Sequence, residues 1–268
     1  MKLDNRVAII TGASRGVGRA CALAMAREGA DIVLASKSVD PDPRLPGTLI
    51  EVAAEVEALG RRALVVQTDV RFEEQIINLV EKTLKSFGRI DILINNAGAL
   101  FLAPMVETPT KRFDLVMSVN ARATFILSRE VLPHMIERKW GHIVNMSPPI
   151  RTENAKGKVG YIISKYGMSL ITYGLAAEVR EHNIAVHSLW PATAIETAAT
   201  IKFGLGKREQ WRTPEILSDA TLGLVSKDPG LRTGTCWIDE EVLREDGVTD
   251  FTGYACVPGH DLLRLDFF

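Results

Sequence analysis

The sequence is poor in the features that mark several functional classes. It has 3 cysteines, Cys21, Cys236 and Cys256, an odd number at wide spacings, with no Cys-x-x-Cys and no adjacent pair of histidines. That pattern suggests neither a disulfide framework nor a zinc site. Charge of either sign is not in excess: 32 Lys plus Arg stand against 33 Asp plus Glu, a formal net charge of -1. A protein that neutralises nucleic-acid phosphates carries a cationic surplus, so no nucleic-acid partner is expected. No apolar run approaches the roughly 18 residues of a membrane span. Met1 to Arg6 are polar and lead directly into Val7-Ala8-Ile9-Ile10, without the layout of a signal peptide. The expectation is a cytoplasmic protein with no membrane partner. Gly/Ser linkers, internal repeats and charge blocks are also missing, which predicts one domain over residues 1–268.

What is present is an ordinary globular composition, 46% hydrophobic and 24% charged, arranged as short apolar runs. These are Val7 to Ile10, Ile32 to Ala35, Ala63 to Gln67, Ile92 to Asn95, Ile143 to Met146, Ala185 to Trp190 and Thr235 to Ile238. Brief, nearly unbroken runs suit strands buried on both faces. Between them, Leu49, Val52, Val56 and Leu59, then Ile76, Val80, Leu84 and Phe87, recur at helical spacing. Alternating strand and helix predicts an α/β fold, a doubly wound parallel sheet with helices on both faces. Two stretches stand apart. Ser38 to Gly47, with Pro41, Pro43 and Pro46, reads as a rigid loop. Thr193 to Thr213 follows a strand end, where open parallel sheets bind ligands, and is a candidate substrate lid or an ordinary helical insertion.

The first run enters Thr11-Gly12-Ala13-Ser14-Arg15-Gly16-Val17-Gly18, and a helix is expected over Arg19 to Glu28. Glycines let backbone approach a pyrophosphate, and the helix N-terminus attracts its charge. At the end of the second run, where an NAD enzyme carries an acidic residue, stand Ser36 and Lys37. With Arg15, Lys37 offers two cations to a 2′-phosphate, so NADP is expected rather than NAD.

The glycine turn, Asp69-Val70, Asn95-Asn96-Ala97-Gly98, Asn120 and Tyr161-Ile162-Ile163-Ser164-Lys165 together resemble the short-chain dehydrogenase/reductase family. Within it, Thr108 to Arg112, Ser147-Pro148-Pro149, Trp190-Pro191 with Thr193-Ala194-Ile195, and Pro258-Gly259-His260 look most like the hydroxysteroid dehydrogenase-like protein 2 group. The resemblance implies a Rossmann sheet of about seven strands in the order 3-2-1-4-5-6-7 and a homodimer or homotetramer. It also implies site roles. Gly12, Ser14, Arg15, Gly16, Val17, Gly18 and Lys37 would bind the cofactor, Asp69 and Val70 its adenine, and Asn96, Ala97 and Gly98 would line it. Pro191, Ile195 and Thr197 would lie at the nicotinamide, and Asn120 would hold a water in the proton relay.

Tyr161 and Lys165 are four apart in a segment of helical period, hence on one face. A nearby ammonium favours the phenolate and lowers the phenol's pKa, which suits Tyr161 as general acid/base in hydride transfer to or from a carbonyl or alcohol. The resemblance implies a small-molecule substrate of apolar character. The resemblance adds that Lys165 bonds the nicotinamide ribose. The departure is at Pro148, which stands where the family has its substrate-orienting serine. Ser147 is the remaining candidate for that role, the alternative being a strand-end serine capping its own backbone. Two other functions stay open. One is a non-catalytic NADP-binding sensor or scaffold, which Pro148 favours. The other is a 3-oxoacyl reductase acting on a carrier-bound or coenzyme A substrate, with Lys202, Lys207, Arg208 and Arg212 as its basic rim. His134, His142, His182, His187 and His260 are scattered and read as structural or surface residues, with no metal required. After Ile238 the family has Asp-Gly-Gly and soon stops, whereas this chain has Asp239-Glu240-Glu241 and a tail over about 239–268 ending Asp266-Phe267-Phe268. That tail is expected to dock at a subunit interface or on its own domain.

Overall fold

The computed structural model describes residues 1–39, 47–151 and 155–265. Most of the proline-rich stretch and Asp266-Phe267-Phe268 therefore lie outside the described residues. Seven strands, β1 (Val7–Thr11), β2 (Asp31–Ser36), β3 (Ala63–Gln67), β4 (Ile92–Asn95), β5 (Gly141–Asn145), β6 (Ile184–Trp190) and β7 (Thr235–Ile238), form one sheet. All neighbours pair in parallel, in the order β3-β2-β1-β4-β5-β6-β7. The helices are α1 (Gly16–Arg27), α2 (Leu49–Ala58), α3 (Glu73–Phe87), α4 (Thr110–Val116), α5 (Ala123–Arg138), α6 (Val159–Glu178), α7 (Ala198–Lys202), α8 (Glu215–Val225) and α9 (Asp239–Glu245).

The unbroken apolar runs reflect burial on both sheet faces. Ala8, Ile10, Ile32, Leu34, Ile92 and Val144 pack with residues of α1, α2 and α8. Their chain neighbours Val7, Ile9, Val33, Leu93 and Ile143 pack with α3 and α5, as the period of two requires. One strand is displaced from its run: β5 starts at Gly141 and ends at Asn145, because buried His142 pairs with Ile92 as part of the ladder. The stripe on α2 is also shorter than expected. Thr48 and Glu51 close a reciprocal cap at its start, Leu49, Val52 and Val56 are buried, and Leu59 lies past the helix end and is exposed.

The right-hand end of the sheet carries a layer built from two distant parts of the chain. The stretch after β6 is bridged to the tail, Thr193 to Arg264 antiparallel and Arg212 to Ala255 antiparallel. Ala194 N–H donates to Leu263 O (2.8 Å), Leu265 N–H to Ala192 O (2.8 Å) and Cys256 N–H to Trp211 O (3.0 Å). The described tail thus sits on its own chain. No described helix is both long and apolar enough to cross a membrane.

Candidate active site

The site forms at the carboxyl ends of β1, β4, β5 and β6. The turn after β1 is held by two side chains. Thr11 Oγ1 accepts from the N–H groups of Asn96 (3.1 Å) and Ala97 (3.0 Å), and Asn96 Nδ2 donates to Thr11 O (2.8 Å) and Gly12 O (3.3 Å). Gly12 and Gly16 have φ of +66° and +53°, which glycine adopts without strain. A Cβ on Gly18 would stand 2.3 Å from Gly12 O, so α1 packs on the turn as only glycine permits. A Cβ on Gly16 would project into the gap between the turn and Thr197. No side chain caps the N-terminus of α1, leaving its N–H groups to a ligand. These features fit the pyrophosphate of a dinucleotide.

The residues expected at the adenosine end lie toward β2 and β3. Buried Ser14 accepts from Arg15 Nε (3.3 Å), while Arg15 Nη2 donates to Gly47 O (3.1 Å), which lays the guanidinium across the chain leading into α2. Lys37 is exposed at the end of β2. Val70 is buried, and both carboxylate oxygens of Asp69 are bonded by Arg71 (2.5 Å to Oδ2), whose guanidinium, with Lys37, holds the Asp69 carboxyl below its usual range. Arg71 was not apparent from the sequence. Its only signal was position, two residues after the aspartate.

A cavity of about 220 Å³ is lined by Tyr161, Lys165, Asn96, Val17, Pro191, Ile195 and Thr197. Leu100, Leu102, Trp190, Leu205, Leu217 and Leu265 supply its apolar wall. α6 carries Tyr161 and Lys165 into this cavity together, as the four-residue spacing predicts. Lys165 Nζ donates to Met146 O (2.7 Å), and burial pushes its pKa down to about 8. The phenol departs from expectation: burial pushes the Tyr161 pKa up from its ordinary value, because desolvation acts on it while the Lys165 ammonium is directed at the Met146 carbonyl. Asn120 sits in a π-helical turn, Met117–Arg122, between α4 and α5. Its Oδ1 accepts from Ala99 N–H (2.8 Å) and its Nδ2 donates to Ala99 O (3.0 Å) and Ser164 Oγ (2.9 Å). A Cβ on Gly98 would come within 4 Å of both Asn120 Oδ1 and Lys165 Nζ, so the bare backbone there leaves these groups close.

Ser147 does not join them. It is fully buried, and its hydroxyl is 2.8 Å from Ser188 Oγ, which is 2.7 Å from Thr172 Oγ1. Asn145 Nδ2 donates to Thr172 Oγ1 (2.8 Å), and Asn95 Nδ2 to Asn145 Oδ1 (2.8 Å). The serine expected to orient a carbonyl is turned into this chain between β5, β6 and α6, and it caps no backbone of its own. Pro148 turns away too, its carbonyl accepting from Ser169 Oγ (2.6 Å).

The profile of the family described as short chain dehydrogenase matches residues 6–206. This chain belongs to that family. A curated relative, hydroxysteroid dehydrogenase-like protein 2 of Danio rerio, is 46% identical over 272 residues. The match takes in 100% of this chain and 64% of the relative's own length. A solved Xanthomonas campestris structure is 41% identical with a TM-score of 0.96, covering 100% of this chain and 99% of that one. Two more distant structures carry nicotinamide cofactors. A metagenomic short-chain oxidoreductase in complex with NADP is 27% identical (TM-score 0.75; 89% and 97% covered). Carveol dehydrogenase from Mycobacterium avium in complex with NAD is 25% identical (TM-score 0.78; 88% and 96% covered).

In this short chain dehydrogenase the stretch Thr193 to Thr213 is only partly a free lid. Thr197 caps α7 through Thr200 N–H (3.2 Å), and Ile195 O accepts from Thr200 Oγ1 (2.6 Å). The basic rim considered for an acyl carrier is reduced by pairing: Arg208 binds Glu196 (2.5 Å) and buried Arg212 binds Glu240 (2.5 Å). His142 and His187 are buried, and desolvation pushes them down to about 3 and about 4, so both are neutral at physiological pH.

Proposed function

We propose that this chain is an NADP-dependent oxidoreductase that interconverts an apolar carbonyl compound and its alcohol, with Tyr161 as general acid/base, and that its 268 residues act as one domain. The observation that carries the reading is the shared cavity of Tyr161, Lys165 and the glycine-turn residue Val17, within a mostly apolar wall. A bound nicotinamide supplies the hydride exchanged with the carbonyl carbon. Gly12, Ser14, Gly16, Val17 and Gly18 would hold the pyrophosphate, Arg15 and Lys37 the 2′-phosphate, and Asp69 with Val70 the adenine. Asn96, Ala97, Gly98, Pro191, Ile195 and Thr197 would hold the nicotinamide half.

In reduction, the Tyr161 hydroxyl donates its proton to the carbonyl oxygen as negative charge develops there. The raised phenol pKa keeps that proton on Tyr161 before substrate arrives. Lys165 then stabilises the phenolate left behind and would bond the ribose hydroxyls. Asn120, fixed on both sides by Ala99, would position a water that returns the proton. The buried Ser147 leaves carbonyl orientation to Tyr161 and the apolar wall.

The choice of NADP rests on Arg15 and Lys37; the test is NADPH against NADH binding in wild type and Arg15→Ala, which should lose at least tenfold for NADPH and little for NADH. The second reading, an NADP-binding sensor, draws on the turned-away Ser147. NADPH oxidation across a panel of apolar aldehydes and ketones separates the two, since tight binding with no turnover on any of them would leave only the sensor. The same reading takes the protein to be a cytoplasmic homodimer or homotetramer. Exposed Phe125 on α5 and Ile163, Leu170 and Tyr173 on α6 offer a face for a second copy, and three unpaired cysteines suit a reducing compartment.

A further inference from the structure

We propose that the tail residues Leu263–Leu265 are a fixed wall of the substrate pocket, locked to the chain after β6 by Glu240, and that Leu265 thereby limits the enzyme to compact, uncharged carbonyl compounds. This deepens the reading above and rests on it.

The wall is built by main-chain pairing. Leu263 N–H donates to Gln210 O (2.9 Å), Leu263 O accepts from Ala194 N–H (2.8 Å), and Leu265 N–H donates to Ala192 O (2.8 Å). Trp190 Nε1 donates to Leu265 O (3.2 Å), which ties the tail to a second residue of the cavity wall. The tail segment thereby runs beside the lid's base, bridged to it at Thr193 and Arg264, and Leu265 lines the cavity that holds Tyr161 and Lys165.

Glu240 is the lock. It is 5% exposed, and its carboxylate binds three arginines from three segments: Arg212 (2.5 Å) at the far end of the lid, Arg264 (3.1 Å) in the tail and Arg244 (2.8 Å) one turn on in α9. Arg212 is itself buried and pairs by backbone with Ala194 (2.9 Å). A buried carboxylate shared in this way loses much if one partner swings out, because the desolvated charge then loses its compensation. Lid and tail therefore move together or not at all. Next to it, Asp239 Oδ1 accepts from Ala192 N–H (2.9 Å), pinning the corner from which the lid departs.

The wall leaves little room. The cavity of about 220 Å³ lies below the roughly 300–1,000 Å³ of common ligand pockets, and the nicotinamide must share it. Among the described residues, Lys165 is the only charged one lining it. Among the described lining residues a carboxylate finds no cation besides Lys165, whose ammonium already donates to Met146 O. A compact aldehyde or ketone fits.

The test uses the full chain and two variants. Leu265→Ala should raise kcat/KM for a carbonyl compound bearing one or two additional branches, relative to a compact one, by roughly tenfold, with NADPH affinity unchanged. Glu240→Gln should speed amide hydrogen exchange at least tenfold in residues 192–196 and 262–265 of the cofactor-free protein, while the central strands keep wild-type protection. Should Glu240→Gln fail to fold, Arg264→Gln removes the tail arm alone and should speed exchange in residues 262–265. An unchanged size profile in Leu265→Ala, or wild-type exchange in both segments of the lock variants, would overturn the proposal. If the wild type turned over no carbonyl at all, the functional reading would fall with the size limit, and the exchange result would still decide the lock.

Discussion

Replacing Gly18 by alanine is the most direct perturbation of the cofactor cradle. The new Cβ would lie 2.3 Å from Gly12 O, 2.7 Å from Asn96 Nδ2 and 2.8 Å from Gly12 C, where ordinary contact begins at 3.4 Å. The turn or α1 must therefore retreat by about 1 Å. Neither yields cheaply: Gly12 is held in the left-handed region by its turn, and Asn96 is anchored on Thr11 O (2.8 Å). Overpacking of this kind costs ~1–3 kcal/mol. If the strain is relieved by displacing the turn, the N–H groups facing the pyrophosphate are misplaced, and the same energy corresponds to a roughly 5- to 150-fold rise in the NADPH dissociation constant. If it stays in the fold, the melting temperature of the free protein drops by a few degrees per kcal/mol. NADPH fluorescence titration alongside thermal melting reads both. An alanine variant with wild-type affinity and wild-type melting would refute the packing argument for the turn.

Three further outcomes follow from the site. Ser147→Ala should lower stability by about 1–3 kcal/mol by leaving the buried Ser188 hydroxyl short of a partner. Steady-state turnover in that variant should stay within about threefold, far from the 10²–10⁴-fold loss of a missing general acid. Lys165 has its pKa pushed down to about 8 by burial, below the ~10.4 of an unfolded lysine. Between those values the unfolded chain holds a proton the folded chain has released, so this group's contribution to stability increases with pH there and its burial is most costly below pH 8. Lys165→Met should accordingly raise the melting temperature of the free protein at pH 7, and the gain should shrink as pH climbs toward 10. In the cofactor assay, Arg15→Ala should lower the NADPH to NADH affinity ratio, with the loss falling away at high salt as a charge contact requires.

The strands were legible because burial on both faces leaves an apolar run with nothing to interrupt it, and Ala63–Gln67, Ile92–Asn95 and Thr235–Ile238 fall on their runs to the residue. The pairing of Tyr161 with Lys165 was legible because helical spacing fixes which side chains share a face. The direction of the Ser147 hydroxyl was not, since it depends on Ser188 and Thr172, brought beside it only by the β5–β6 pairing and α6. Desolvation of the Tyr161 phenol was hidden for a similar reason: burial by Trp190, Ala192 and Ile238 is a property of the packed cluster. The bridged tail segment left no signal, because Leu263-Arg264-Leu265 is too short for periodicity to register. Its hydrogen bonds go to a stretch some sixty residues earlier. The sequence did single out Asp239-Glu240-Glu241 as a departure, and the structure gives that departure its physical content in Glu240.

The central claim is that Tyr161 moves the proton while the remaining cavity binds cofactor and substrate. It is tested most directly by single-turnover oxidation of NADPH by an apolar aldehyde or ketone in wild type and Tyr161→Phe, with NADPH affinity measured on both. The account predicts a fall in the chemical rate of at least ~100-fold with the NADPH dissociation constant within twofold. A phenylalanine variant that reduces the carbonyl at the wild-type rate would contradict it.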